Sequence, residues 1–97
     1  MEHQRVRVRN VPGIHARPAA VLVKCAGGFE SDVFLEGNGL TINAKSIMGV
    51  MMLAAVTGTI LEVRAVGRDA AEAVRALADL IDSGFGEELE DDPPRTD

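Results

Sequence analysis

Hydrophobic and polar residues alternate along four short stretches of the chain, and this two-residue period predicts β-strands. The stretches are residues 5–9, 31–36, 40–42 and 59–66. Residues 37–39 (GNG) separate the second stretch from the third and supply the residue types that tolerate a positive φ in a tight hairpin. We expect the inward face of the sheet to consist of Val6, Val8, Val33, Leu35, Leu40, Ile42, Leu61, Val63 and Ala65.

Three other stretches place apolar residues three and four positions apart, the spacing of an amphipathic helix. The first helix is predicted over residues 16–28, and the second begins after Ser46, a residue type favoured at N-caps. The third opens with Asp69 and Glu72, an Asp variant of the capping box, and ends at Gly84. The stripes expected to be buried are Ala19, Leu22, Val23 and Ala26; Ile47, Val50, Met51 and Ala54; and Ala70, Ala73, Val74, Leu77, Leu80 and Ile81.

The resulting element order, β-α-β-β-α-β-α, indicates the α+β class. Two βαβ-like halves and alternating strands favour one antiparallel sheet with its helices on one face. We therefore predict a two-layer open-faced sandwich, with a four-stranded antiparallel sheet and three helices on one of its faces. A chain of 97 residues has room for a single core of this kind.

The net charge of −5 is concentrated in the last eleven residues. Residues 87–97 hold six acidic side chains against Arg95, whereas residues 1–86 hold nine acidic and nine basic ones. We therefore predict one domain over residues 1–86 and an acidic, disordered tail over residues 87–97. Within residues 1–29 the excess charge is basic, which favours an anionic substrate or partner.

Composition and motif content argue against several classes of function. The chain has no Trp, no Tyr and three Phe, so it has few platforms on which nucleic-acid bases could stack. It contains no CxxC, HExxH or glycine-rich phosphate loop, and we expect neither a metal nor a nucleotide cofactor. We also expect no membrane insertion and no export, and a single cysteine, Cys25, agrees with the cytoplasm. Cys25 is interpreted as a buried apolar residue, and His3 as part of a frayed terminus.

His15 is the strongest candidate for chemistry, because the pattern around it places it at the start of a helix. It follows a turn signal at residues 10–13, and Pro18 is tolerated in a first helical turn. The free N–H groups of such a turn and the guanidinium of Arg17 both favour an anion. The residues alone leave two interpretations open: His15 holds an anion covalently, or it is a polar helix cap beside a surface arginine.

Two separate segments resemble a known family. Residues 13–19 (GIHARPA) and residues 45–51 (KSIMGVM) are similar to HPr, the histidine-containing phosphocarrier of the bacterial phosphoenolpyruvate:sugar phosphotransferase system. The resemblance extends over residues 1–86 and includes the order of the elements. It implies a phosphoryl-group carrier in a relay rather than a stand-alone enzyme.

The resemblance also implies a mechanism. Phospho-Enzyme I would donate a phosphoryl group to Nδ1 of His15, and the carrier would pass the group to a histidine of a IIA domain in a sugar permease. Arg17 would help to accommodate the phosphoryl oxygens. Such a protein would need no cofactor or metal, and we expect it to act as a monomer in the cytoplasm.

Further residues are implied by the same resemblance. Ser46 corresponds to a serine that an ATP-dependent HPr kinase/phosphorylase modifies. The resemblance therefore also implies this enzyme and a carbon-catabolite regulator as partners. The alternative is a plain N-cap, and both can hold. Met48 and Met52, together with Ile47 and Ala20, resemble a surface on which partners dock. The alternative for the methionines is overflow from a crowded core.

Two other functions stay open at this point. The protein could be an HPr paralogue that regulates carbon or nitrogen control rather than feeding sugar uptake. It could also be a small ligand-binding or structural α+β module. The acidic extension departs from the usual family length, and we interpret it as a solubility feature rather than a modifier of partner choice.

Overall fold

The computed structural model describes residues 1–89 as a βαββαβα chain that ends in a short 3-10 turn. The predicted element order is therefore confirmed. Residues 90–97, most of the predicted acidic tail, lie outside the described residues. The elements are β1 (Glu2–Arg7), α1 (Ala16–Gly27), β2 (Asp32–Gly37), β3 (Leu40–Asn43), α2 (Ile47–Met52), β4 (Ile60–Val66), α3 (Ala70–Asp82) and the 3-10 turn (Gly84–Gly86).

The four strands form one antiparallel sheet in the order β1-β4-β2-β3. Its register sets apolar residues opposite one another: Val6 faces Leu61, and Leu35 faces Val63 on one side and Ile42 on the other. Such cross-strand neighbours on one face are the unit of sheet stabilisation. The predicted inward face is confirmed, since every member is buried except Leu40 and Ile42, which are partly buried against the core.

The hairpin between β2 and β3 follows the glycine-asparagine-glycine signal. Asn38 has φ +52° and Gly39 has φ +77°, the two consecutive positive values of a type I′ turn. The Asn38 Nδ2 also donates to the Leu53 carbonyl at 2.9 Å. That bond ties the hairpin to the segment that follows α2.

The three helices cover one face of the sheet. Helix α3 packs on β1 and β4, while α1 packs against both α2 and α3. Leu22 of α1 and Leu77 and Ile81 of α3 are completely buried. Burial of side chains of this size stabilises a fold by about 1.5–3 kcal/mol each, so these positions account for much of the core.

The opposite face of the sheet is open to solvent and carries charged side chains. His3 was expected in a frayed terminus, and that expectation is wrong: β1 begins at Glu2, and His3 lies opposite Arg64 in the ladder with β4. Its Nδ1 is 3.2 Å from an oxygen of Glu62. Backbone pairing with β4 over the whole length of β1 is what orders this terminus.

Helix α2 differs from its prediction in the residues that it buries. The expected stripe of Ile47, Val50, Met51 and Ala54 is wrong for three of its four members. Ile47 and Met51 are 45% and 42% exposed, and Ala54 lies beyond the helix with φ +49°. A six-residue helix presents only one turn to the core, and that turn buries Val50, followed by Leu53.

Asp69 stands at the N-cap of α3 but does not cap its own helix. Its carboxylate instead accepts hydrogen bonds from the backbone N–H groups of Glu30 and Ser31 and from the Ser31 hydroxyl, at 2.5 to 3.0 Å. The prediction that Asp69 occupies the N-cap is therefore correct, whereas the predicted hydrogen bond from its own helix to the Asp69 side chain is absent. The Ser31 hydroxyl and the two N–H groups lower the pKa of Asp69 from 3.8 to about 2.

Residues 1–89 offer neither a membrane span nor a metal cluster. No helix there is long and apolar enough to cross a membrane. The same residues contain no group of three or more His, Cys, Asp or Glu side chains placed to hold a metal ion. Burial raises the pKa of the Cys25 thiol, which is half-buried beside the core.

Candidate functional site at the start of helix α1

The site is built on the loop that joins β1 to α1. Gly13 has φ +113° and forms a bridge with Val56, and a Cβ at Gly13 would lie 2.6 Å from the Ala55 carbonyl oxygen. The next residue, Ile14, is buried and donates its N–H to the same carbonyl at 2.8 Å. This close approach requires glycine and fixes the backbone that presents His15.

His15 is the N-cap residue of α1, as predicted. Its backbone is extended, and its carbonyl accepts the first helical hydrogen bond, from Ala19 N–H at 2.9 Å. The backbone N–H groups of Ala16 and Arg17 lie before that first bond and have no acceptor within the helix, and Pro18 has no N–H. The ring, 43% exposed, thus lies beside free donors at the positive end of a twelve-residue helix.

Arg17 is exposed in the first turn of α1. Within residues 1–89 the guanidinium of Arg17 makes no hydrogen bond or ion pair of the kinds described for Glu87 and His15. Its charge nevertheless contributes to lowering the pKa of Glu87, which indicates that the two side chains share one electrostatic environment.

A carboxylate from the far end of the chain meets the His15 ring. Both oxygens of Glu87 lie 3.1 Å from Nε2 of His15. The Glu87 side chain is only 16% exposed. The hydrogen bond from Asn10 is the largest cause of the lowered pKa of Glu87, partial burial opposes it, and the His15 ring and Arg17 lower it further. The carboxylate is therefore ionised at neutral pH.

Asn10 links this carboxylate to the loop. Its side chain is completely buried, and its Nδ2 donates both to the Gly13 carbonyl at 2.8 Å and to Oε1 of Glu87 at 2.9 Å. The Asn10 carbonyl in turn accepts from the Thr57 hydroxyl at 2.7 Å. A single asparagine thus holds together the loop, the C-terminal segment and the segment before β4.

The sequence analysis missed both Asn10 and Glu87 as site residues. Asn10 was read only as part of a turn signal, and Glu87 was assigned to the tail. Glu87 lies 72 positions from His15, a separation at which no spacing rule applies. The available signal was the pair Gly84 and Gly86, both at φ +75°, which turn the chain back after α3.

Ser46 caps α2 as predicted. Its hydroxyl oxygen accepts the Gly49 N–H at 3.1 Å, and its carbonyl accepts the Val50 N–H at 3.0 Å. The residues that follow are strongly exposed: Met48 by 73% and Met52 by 66%. Overflow from the core does not describe these methionines, because they lie outside it.

We define the apolar surface of α2 as Ile47, Met48, Met51 and Met52, all of which are at least 42% exposed. Ala20 of the neighbouring α1 is exposed as well. The helices α1 and α2 pack against each other, so this surface lies on the same layer as the His15 helix. Exposed apolar residues grouped in this way are typical of a protein-binding surface.

Known proteins are similar to this chain over most of its length. Residues 2–83 match the family model described as "PTS HPr component phosphorylation site". The chain belongs to the HPr family. It is 46% identical over 87 residues to the phosphocarrier protein HPr of Neisseria meningitidis, covering 90% of this chain and 98% of that protein.

Other HPr relatives are similar in sequence and in structure. The HPr-like protein Crh of Bacillus subtilis is 53% identical over 81 residues, which cover 84% of this chain and 95% of Crh. The crystal structure of HPr-C-His from Thermoanaerobacter tengcongensis superposes with a TM-score of 0.87 at 45% identity, covering 92% of this chain and all of that one. An HPr from the same organism, described as a dimer, gives a TM-score of 0.71 at 44% identity, over 90% of this chain and all of that one.

Proposed function

We propose that this protein carries a phosphoryl group on His15, accepting it from phospho-Enzyme I and passing it to a histidine of a IIA domain of a sugar permease. On acceptance, the Nδ1 lone pair of His15 forms a P–N bond while the bond between phosphorus and Enzyme I breaks. On delivery, the histidine of the IIA domain forms a P–N bond while the Nδ1–P bond breaks and its electron pair returns to Nδ1. The observation that carries the proposal is the exposed His15 ring, whose Nε2 faces Glu87 and whose Nδ1 does not.

The surroundings of His15 suit a carrier. Phosphoryl transfer needs positioning and charge compensation more than covalent help from the protein. The free N–H groups of α1 stabilise an anion by about 0.3–1 kcal/mol when exposed, and Arg17 adds a planar cation that matches phosphoryl oxygens. Stabilisation of this modest size allows the group to be handed on.

Partners would dock on the apolar surface of α2 together with Ala20. Adaptable methionine side chains suit a protein that meets several unlike partners at one surface. Ser46 would be the regulatory position, phosphorylated by an HPr kinase/phosphorylase and read by a carbon-catabolite regulator. The support is its place next to Ile47 and Met48, where a phosphate would put about −1.5 to −2 charges at the edge of the docking surface.

A regulatory branch is the second candidate function. The identity with Crh, 53%, exceeds the 46% shared with the Neisseria phosphocarrier, and a similar crystal structure is that of Crh described as the catabolite repression containing protein of Bacillus subtilis. In that branch the phosphoryl group would serve as a signal in carbon or nitrogen control. We place the protein in the cytoplasm as a monomer in either case, acting without a cofactor.

The test is labelling with radioactive phosphoenolpyruvate and Enzyme I, followed by a chase onto IIA domains. We expect acid-labile label on the wild type and none on His15→Ala, which replaces an exposed cap and should remain folded. Label that persists on the variant would refute His15 as the acceptor. Absence of label on the wild type would favour a ligand-binding or structural module, and label that no IIA domain accepts would favour the regulatory branch.

A further inference from the structure

The segment after α3 folds back along the loop that carries His15. We call residues 84–89 the C-terminal strap. Its Glu88 carbonyl accepts the Val11 N–H at 2.7 Å, and Leu89 bridges with Asn10. The Leu89 side chain covers Gly84, where a Cβ would collide with it. The strap is therefore held by backbone bonds on one side of Glu87 and by the 3-10 turn on the other.

The hydrogen bonds at Glu87 determine where a proton sits on His15. The Nδ2 of Asn10 is a donor in both of its bonds, to Gly13 and to Glu87, so it favours the charged carboxylate. An ionised carboxylate can only accept. Both of its oxygens lie 3.1 Å from Nε2, so the Nε2 of His15 must be the donor. In the neutral ring the lone pair is then on Nδ1.

We propose that Glu87 is a positioning residue that holds the proton of His15 on Nε2, both before and after phosphoryl transfer. This inference rests on the proposed function and adds a residue to it. Glu87 lies outside residues 2–83, the part of the chain that matches the family model. The role rests on the contacts that Glu87 makes with His15 and Asn10 in this structure.

The proton on Nε2 matters in both directions of the reaction. During acceptance, the Nδ1 lone pair attacks phosphorus and the ring becomes a cation that keeps its proton on Nε2, where the carboxylate of Glu87 stabilises it. During delivery, the P–N bond breaks and its electron pair returns to Nδ1. Because Nε2 still carries the proton, the leaving group is a neutral imidazole rather than an anion.

A glutamine at position 87 gives a sharp test because it changes one contact in a defined way. Asn10 Nδ2 donates to Oε1, so in Glu87→Gln the amide nitrogen takes the place of Oε2 and presents a donor to Nε2. The negative charge is lost, and Oε1, already bonded to Asn10, is the one acceptor of residue 87 left near Nε2. A donor facing Nε2 favours the opposite tautomer. The matched control is Glu88→Gln, which removes the same charge from an exposed neighbour, whereas the hydrogen bonds of the His15 ring within residues 1–89 go to Glu87.

The first measurement is nitrogen-15 NMR of the His15 ring at a pH where the ring is neutral, and it requires no Enzyme I. We expect the Nε2–H tautomer in the wild type and in Glu88→Gln, and a shift toward Nδ1–H in Glu87→Gln. An unchanged tautomer in Glu87→Gln would overturn the proposal, and so would an equal shift in Glu88→Gln. Far-UV circular dichroism of all three proteins checks that the fold is retained.

The second measurement is the chemistry itself. Phosphoramidate, a chemical phosphoryl donor, can label the ring without Enzyme I, and phosphorus-31 NMR then follows loss of the group at neutral pH. We expect about tenfold slower loss from Glu87→Gln than from the wild type or Glu88→Gln, and about tenfold slower acceptance from Enzyme I. Equal rates would refute the role of Glu87. If Enzyme I fails to label even the wild type, the proposed function fails while the tautomer measurement still decides the inference.

Discussion

Replacing Asn10 with alanine should destabilise the whole domain and not only the site. The side chain is completely buried, and the substitution removes two hydrogen bonds, one to the Gly13 carbonyl and one to the charged Glu87. A neutral bond contributes about 0.5–1.5 kcal/mol and a bond to a charged group about 1.5–3 kcal/mol. Because Glu87 keeps some access to water, we take the lower end for its bond and expect a loss of about 2–3 kcal/mol.

For a domain of this length the corresponding fall in Tm is roughly 10–20 °C. The assay is urea unfolding followed by far-UV circular dichroism, since the chain has neither Trp nor Tyr to report by fluorescence. A double-mutant cycle with Glu87→Ala, which removes the acceptor of the Asn10 bond, isolates the Asn10–Glu87 contact, and we expect a measurable stabilising coupling between the two positions. A loss below about 1 kcal/mol for Asn10→Ala would show that the strap does not depend on this asparagine.

Four further predictions concern Arg17, Met48, Ser46 and Asp69. Arg17→Glu should slow phosphorylation of His15 strongly and Arg17→Lys to an intermediate degree, and a wild-type rate for the Glu variant would make the residue a mere surface charge. Met48→Asp should weaken encounter with Enzyme I, measured as a raised KM, while the circular dichroism signal stays that of the folded domain. Ser46→Ala should lower stability by about 1 kcal/mol through the lost cap with near-normal transfer, whereas Ser46→Asp should slow transfer without lowering Tm. Folding lowers the pKa of Asp69 from 3.8 to about 2, so its ionised carboxylate stabilises the fold fully above pH 3.8, and this stabilisation is lost as the pH falls toward about 2. In Asp69→Asn the free energy of unfolding should therefore depend less on pH between these two values.

Periodicity was sufficient to predict the order and type of the elements, because each strand and each long helix buries one face. Leu77 and Ile81 are four positions apart and lie on one face of a helix, and Val33 and Leu35 are two positions apart and lie on one face of a strand; all four are buried. The same reasoning failed on α2. A helix of one and a half turns is too short for its pattern to set which residues are buried, and the neighbouring elements decided instead.

The residues of the site that could be predicted are those whose role depends on their near neighbours in sequence. His15 and Ser46 could be placed from sequence because both are local features: each is an N-cap defined by residues within a few positions of it. Asn10 and Glu87 could not, since their roles come from contacts across 72 to 77 positions. The acidic composition of residues 87–97 also concealed Glu87, because in sequence one glutamate does not stand out among six acidic residues. Asp69 shows the same limit, since its partners Glu30 and Ser31 are 39 and 38 positions away.

The strap also has a consequence for the order in which the protein is made. A ribosome releases the chain from its N-terminus, so the strands, the three helices and His15 can all assemble before residues 84–89 emerge. At that moment the nascent domain contains an imidazole with no carboxylate beside it. The partner of Nε2 is synthesised after every strand and helix that builds the site, and a fragment that stops at Ser83 would lack the carboxylate that holds the proton of His15 on Nε2.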